Sequence, residues 1–359
     1  MVGEARLVWA RRGAEGAPPL RAWRAERVLG DGSAGRVVLA RHEDEVVAAK
    51  VVGKQQAAQS EAQTAHLVAE MAVSAVAGGG GARGLVGAEY IYEDGAAVYL
   101  LLEFMGGGEL FHLLAAREWL GEAEARFAAA CWVLGIEALH GLGMIYHGGK
   151  TEDCLLSPAG YLKLADFGLC ERAALSRSLC GTPEYVAPEV LARRAPHSKM
   201  VDFWTLGVLL FELLVGLPPF YHRDRSEMLR MILHREVDFS ALARLHRLPP
   251  LAQDLLAQLL VKSPETRLGA HGFNQLKGHP WFADLDWELL AEGRLASPLA
   301  RAPLAHPADT RHFDAFFTAK PLAAVLRPPP PPCAPPLPLH ARFHTLLKEL
   351  QTDTTPQAS

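Results

Sequence analysis

Leu29-Gly30-Asp31-Gly32-Ser33-Ala34-Gly35-Arg36-Val37 spells G-x-G-x-x-G-x-V between two runs whose composition predicts strands. Glycines at these spacings let backbone amides approach phosphate oxygens closely, because no Cβ stands in the way. By itself the motif leaves a hairpin turn or a dinucleotide fingerprint open; the strand that follows it, where a dinucleotide site has a helix, argues against the fingerprint. Reading outward, Val47-Ala48-Ala49-Lys50 places a lysine on a third strand, 15 residues after Gly35. Glu70 falls in the Ala-rich stretch Ser60 to Val76, predicted as one helix, from which it can pair with Lys50 and orient it toward α and β phosphates. Downstream, Asp166-Phe167-Gly168 supplies a carboxylate for magnesium, and Glu189 of Ala187-Pro188-Glu189 anchors the segment between the two motifs. A lone surface lysine or glutamate is ordinary; the whole set in this order is not.

Composition limits the alternatives. The chain has 359 residues, half of them hydrophobic, enough to bury a large core in about two lobes. Lys plus Arg number 36 against 40 Asp plus Glu, a net charge of -4 that gives no global basic character for nucleic acid. Five cysteines, odd in number and without metal spacing, favour reduced thiols in a cytoplasmic or nuclear setting. Residues 1 to 19 lack the pattern of a secretory signal. The most apolar stretch, Phe203 to Phe220, is broken by Glu212, Gly216 and Pro218-Pro219, which suits a buried helix and no transmembrane segment.

Patterning divides the chain. Residues 1–22, rich in Arg, Ala, Gly and Pro, read as a disordered tail. Short β-branched runs up to Phe104 predict a small antiparallel sheet, and Gly78 to Gly81 predict a break and a mobile connection after the Glu70 helix. Beyond Gly108 come helical segments at roughly 109–117, 122–141, 198–216 and 250–261. Pro328 to Pro338 predicts a stiff polyproline segment in a low-complexity tail, 321–359.

Taken together, residues 23–282 resemble a eukaryotic protein kinase catalytic domain, in detail the AGC group and within it protein kinase B (Akt) and its relatives. The stretches that carry the likeness are Met105-Gly106-Gly107-Gly108-Glu109-Leu110-Phe111, Leu164 to Cys170, Cys180 to Glu189 and Leu217-Pro218-Pro219-Phe220. The resemblance implies an α+β bilobal fold with a sheet lobe over 23–104 and a helical lobe over 105–282. It also implies an AGC tail over 283–320, in which Phe313-Asp314-Ala315-Phe316-Phe317-Thr318 matches F-D-x-x-F-T and Phe317 lines the nucleotide pocket. ATP and Mg2+ are the implied cofactors, and a protein substrate or protein partner the implied macromolecule. By the same likeness Leu102 is the gatekeeper, Glu103 and Met105 meet adenine through their backbone, and Glu109 reaches the ribose. Glu109, Glu152 and Glu212 match acids that receive arginines upstream of a target hydroxyl. Ser178 takes the activation-loop phosphosite, Thr182 lies in the same segment, and Arg267 pairs with Glu189.

The pattern breaks at Tyr146-His147-Gly148-Gly149-Lys150, where the family leads one to expect Tyr-Arg-Asp-Leu-Lys. The missing aspartate is the residue that orients the substrate hydroxyl and accepts its proton; Gly148 can do neither. Losing a general base costs roughly 10²–10⁴-fold in rate. Lys150 remains to neutralise the γ-phosphate, and Asp153, at the asparagine position, can ligate magnesium through oxygen. His147 replaces an arginine and cannot make its bidentate phosphate contact. The expectation is an ATP- and magnesium-binding kinase homologue that transfers phosphate weakly or not at all. Two alternatives stand beside it: a working kinase for arginine-rich motifs, through a compensating base or a miscoded stretch 145–156, and a structural module without nucleotide.

Overall fold

The computed structural model describes residues 5–13, 15–32, 35–172, 182–192, 198–239, 248–325 and 339–353. Two compact units emerge, one gathering 1–108, 166–168 and 302–359, the other 109–165 and 169–301.

The first unit is built on a six-stranded antiparallel sheet in the order β1-β5-β6-β4-β3-β2. Its strands are β1 (Arg6–Ala10), β2 (Arg24–Gly32), β3 (Gly35–His42), β4 (Glu45–Gly53), β5 (Ala88–Glu93) and β6 (Ala97–Glu103). The two-residue period of β4 sends Val47 and Ala49 into one apolar cluster, with Tyr92, Tyr99 and Leu101, and Val46 and Ala48 against another around Leu29, Leu39 and Ala308. Lys50, paired with Val37 on β3 and Leu100 on β6, shares the face of Ala48.

The predicted disordered tail gives way here: Arg6–Ala10 is an edge strand in register with β5. Leu7 and Leu20 pack on the tyrosine cluster, and Tyr92 donates its hydroxyl to the Pro18 carbonyl at 2.5 Å. Arg6 and Lys54 (3.0 Å) both hold the Glu93 carboxylate, fixing the strand's start.

After the single turn α1 (Lys54–Ala57), α2 (Glu61–Gly78) carries Glu70. Ser60 caps it, accepting from the Gln63 amide at 3.2 Å. The glycine run ends this helix as expected, with Gly78 its last residue and Gly79 its C-cap. Gly78 lies buried in its last turn, and a Cβ there would sit 1.9 Å from the Ala88 carbonyl oxygen and 3.0 Å from Trp9. The glycine serves close packing of helix against strand. The C-terminal stretch is not uniformly low-complexity either: Leu339–Asp353 is a helix packed on α2, with Leu339, Phe343, Leu347 and Leu350 buried at helical spacing. Arg342 pairs with Glu61 at 2.7 Å. The polyproline expectation lies outside the described residues.

The second unit is helical: α3 (Leu110–Arg117), α4 (Glu122–Gly141), α5 (Pro188–Leu191), α6 (Met200–Val215), α7 (Arg225–His234) and α8 (Pro250–Leu259). Almost every residue of α6 is buried, as its all-round hydrophobicity requires, and α4 and α8 pack on it. Gly216, in the left-handed region at φ 91°, ends α6 by donating to the Glu212 carbonyl at 2.7 Å. These bounds agree with the predicted helical segments to within about two residues at each end.

Candidate active site

In the first unit Lys50 and Glu70 are both 6% exposed, and their side chains form an ion pair. Lys50 Nζ also lies 2.9 Å from Asp166 Oδ1. Burial alone would lower the pKa of this lysine, but the Glu70 and Asp166 carboxylates outweigh it and hold the ammonium charged well above its ordinary range. Of the four predicted catalytic residues, Lys50, Glu70 and Asp166 are brought together here. Asp166 itself sits at φ 55° with its side chain 42% exposed, so a carboxylate oxygen remains accessible.

The glycine loop fits a phosphate ligand on its own geometry. No protein atom comes within 4 Å of a Cβ built on Gly32, so the chain leaves open space beside the backbone there, room that a phosphate would use. Gly35 is needed for a second reason, because at φ 125° a Cβ would lie 2.8 Å from the Val51 carbonyl oxygen. Ser33 and Ala34 lie outside the described residues. Arg36 pairs with Asp31 at 3.8 Å, and Lys320 from the tail reaches Asp31 at 3.6 Å.

Leu29, Val37 and Ala48 meet in one apolar cluster with Leu39 and Ala308, completed by Phe104 and Phe313. These two rings stack 5.5 Å apart. Phe317, the predicted lining residue, packs edge-on to Phe316 at 5.1 Å and under the Lys320 ammonium at 4.9 Å. Along the predicted hinge, Leu102 pairs with Ala48, Glu103 exchanges hydrogen bonds with Gly87, and the buried Met105 accepts from the Gly108 amide at 3.0 Å.

In the second unit the catalytic-loop stretch is pinned by a residue that sequence reasoning missed. Fully buried Asp202 on α6 accepts from the backbone amides of Tyr146 and His147, each at 3.0 Å, and from His140 Nε2 at 2.8 Å. Its only sequence signal was an acid inside an apolar helix. His147 is held at φ 56°. A Cβ on Gly148 would lie 3.0 Å from two ring carbons of Tyr146, a buried residue whose hydroxyl donates to the Ala165 carbonyl at 2.5 Å. Gly149, at φ 99°, would place its Cβ 2.9 Å from Trp132 Nε1. Asp153 accepts from the Gly149 amide at 3.1 Å and pairs with Lys150 at 3.6 Å; Glu152 lies 3.7 Å from the same ammonium.

Arg267, wholly buried, grips Glu189 through two hydrogen bonds of 2.7 and 2.8 Å, as predicted. Ser178 lies outside the described residues; Thr182 precedes the turn Pro183–Tyr185. Of the three predicted peptide acids, Glu152 and Glu212 line one cavity together with Glu118 and Glu184, while Glu109 is not among its walls and faces His112 at 3.5 Å. Burial raises the pKa of Glu212 to about 7, against the lowering effect of the Tyr185 hydroxyl that it accepts; Glu152 and Glu184 push it further up.

Cys131, Cys154 and Cys170 are buried free thiols, and among the described residues no helix is long and apolar enough to cross a membrane.

A family model of the protein kinase domain matches residues 23–282. The chain is 37% identical to the serine/threonine protein kinase ypkA of Aspergillus fumigatus over 300 residues, covering 82% of this chain and 46% of that protein. It is 38% identical to the human serine/threonine-protein kinase Sgk2 over 302 residues, 81% of this chain and 79% of Sgk2, and 37% identical to mouse ribosomal protein S6 kinase alpha-4 over 322 residues, 85% and 41%. It thus spans about half the length of some curated relatives it matches. With the ordered phosphate motifs, the Lys50–Glu70 pair and the Glu189–Arg267 anchor in place, the chain belongs to the protein kinase domain family, with AGC-type serine/threonine kinases as its homologues.

Proposed function

We propose that this chain binds ATP with magnesium, transfers the γ-phosphate weakly or not at all, and works as a signalling pseudokinase through its conformation on a protein partner. One contrast carries the reading: Lys50 and Glu70 form a buried pair that Asp166 joins, while the position that should present a general base is Gly148. The Leu29–Ala48–Phe313 cluster offers an apolar surface for a purine, and the glycine loop offers amides for phosphates. Asp166 of the first unit is a carboxylate suited to magnesium, which when bound would neutralise phosphate charge. Lys50 would orient the α and β phosphates, and Lys150 would offset charge on the γ-phosphate. The protein kinase B likeness, and a cytoplasmic or nuclear setting, belong to the same proposal.

The glycines also fit their surroundings. Trp132 occupies the space beside Gly149 so closely that a side chain there would collide, which supports the loop as a native feature over a miscoded stretch.

Isothermal calorimetry with MgATP tests the nucleotide half: binding is expected, and Lys50→Ala should abolish it. Transfer of labelled phosphate to an arginine-rich peptide tests the other half. Transfer should be slow, and Gly148→Asp, tested also with Tyr146→Phe to free the ring from its hydrogen bond to Ala165 so that it can shift, should raise it by about 100-fold or more. Turnover of the unmodified protein at ordinary kinase rates would defeat the pseudokinase reading. The alternative, an active kinase for basic motifs, draws its support from the retained Lys150–Asp153 pair and the acidic cavity.

A further inference from the structure

Of the fifteen histidines in the chain, only His340 and His344 stand four residues apart, and both lie on the helix Leu339–Asp353. That spacing sets two side chains on one helix face, one turn apart. Their Nε2 atoms face each other at 3.1 Å, and the ring centroids are 4.3 Å apart. Nε2 is the ring nitrogen farther from the backbone, so the outer ends of the two side chains are the parts brought together. His340 is exposed and His344 half-buried, which leaves the paired nitrogens open to solvent.

The separation of the nitrogens is that of a chelate. Two nitrogens bound to one ion at about 2.0–2.1 Å, with roughly 90–110° between the bonds, stand about 2.8–3.4 Å apart. Without a metal the neutral rings can share only one proton, a single hydrogen bond in competition with water. The surroundings select the kind of ion. Lys348, one turn further along, and Arg6 both act on His344 as neighbouring positive charges. Among the described residues no third His, Cys, Asp or Glu joins the pair. A hard cation such as Mg2+ or Ca2+ binds through carboxylates and other oxygens and finds only repulsion here. An ion that bonds strongly to neutral imidazole overcomes that repulsion, which favours Ni2+, Cu2+ and Zn2+, with Cu2+ the tightest.

We propose that His340 and His344 form a two-histidine chelating site for a divalent transition-metal ion, with water completing its coordination, and that the bound ion staples this helix in its place on α2. The second half follows from position. Leu339 and Phe343, buried on a helix that packs against α2, each immediately precede one of the two histidines, and the His344 ring stands edge-on to Phe343 at 4.9 Å. Away from α2, a helix of 15 residues is barely stable in water. An ion held across one of its turns therefore favours the docked, helical state in proportion to its own affinity. The nitrogens already stand at chelating distance, so little ordering opposes binding. Neither half depends on nucleotide or on phosphate transfer.

Calorimetry with NiCl2 alone tests the site, since Ni2+ does not oxidise thiols. The tightest site should take one ion per chain, and His340→Ala and His344→Ala should each weaken it by about tenfold or more. Because His340 is exposed, the metal-free His340→Ala protein should melt with the unmodified one. Cu2+ on the unmodified protein should show two imidazole nitrogens in its electron paramagnetic resonance spectrum, a reading that needs no variant. With free Ni2+ at about 100 times its dissociation constant, amide exchange along Leu339–Asp353 and α2 should slow by up to about 100-fold, and only when both histidines are present. Tight binding that survives either replacement, a spectrum with one imidazole nitrogen or none, or exchange untouched by bound Ni2+ overturns the proposal.

Discussion

Restoring leucine at position 149, the residue the family pattern leads one to expect, should destabilise this protein. The backbone there is at φ 99°, where a side chain is strained, and the Cβ would meet the Trp132 ring at 2.9 to 3.2 Å. A non-glycine residue in such a conformation costs about 1–2 kcal/mol. Overpacking against Trp132, which is 1% exposed, adds roughly 1–3 kcal/mol. Gly149→Leu should therefore lose about 3 kcal/mol. Trp132→Leu alone opens a cavity and should lose about 2–4 kcal/mol, offset in part because the Trp132 Nε1 is a buried donor without a hydrogen-bond partner. Combined, the two changes relieve each other: the new leucine fills space the indole vacated, and only the backbone strain persists. The double variant should be about 1–3 kcal/mol more stable than the sum of the single effects, a coupling that urea unfolding of all four proteins measures directly. Additivity within about 0.5 kcal/mol would refute the claim that Trp132 and Gly149 are fitted to one another, and with it the structural case against a miscoded loop.

Other outcomes follow from the same geometry. Phe343→Ala, or removal of the chain from Leu339 onward, should strip apolar contact from α2; the point change should cost about 3–5 kcal/mol locally, read as faster amide exchange along Glu61–Gly78 and weaker MgATP binding. Unchanged exchange would mean that the C-terminal helix does not brace α2. Glu212 has a pKa near 7 against an ordinary 4.5, so the folded state holds its proton more tightly than the unfolded chain does. That stabilisation is full below pH 4.5 and lost as pH rises through 7, up to about 3 kcal/mol, and Glu212→Gln should flatten the fall; an unaltered pH profile would count against it. Cationic peptides should bind more tightly as pH rises through 7, with Glu212→Gln removing the trend. Arg267→Lys should cost about 3 kcal/mol in thermal unfolding despite conserving charge, because Lys cannot make both bonds to Glu189; a melting temperature unchanged within error would contradict this.

What was legible in the sequence was what physics writes locally. The period-two run of β4 announces a strand with Lys50 on one face, and the Ala-rich stretch before Gly78 announces the helix that presents Glu70, because periodicity and propensity act over neighbours. The ordered motifs then place Asp166, Glu189 and Arg267, each found where expected. The misses are pairings across long separations. Arg6–Ala10 is five residues among arginines and glycines, too short to signal a strand, and becomes one because β5 offers an unpaired edge and Tyr92 and Tyr99 offer an apolar seat. That Gly78, besides ending the helix, admits the close approach of β5 shows only once the Ala88 carbonyl is placed against it. Asp202 looks like a helix defect until the Tyr146 and His147 amides are found on its carboxylate. The catalytic loop joins both kinds. That Gly148 removes a carboxylate is plain from the letters alone, but whether the loop has decayed or been refitted depends on Trp132, 17 residues away in sequence and touching Gly149 in space. A loop merely released from selection has no reason to keep a buried indole pressed on a glycine in the one backbone region that glycine favours. The fit of that pair, together with Asp202 gripping the adjoining amides, therefore argues that the loop's shape is retained for use.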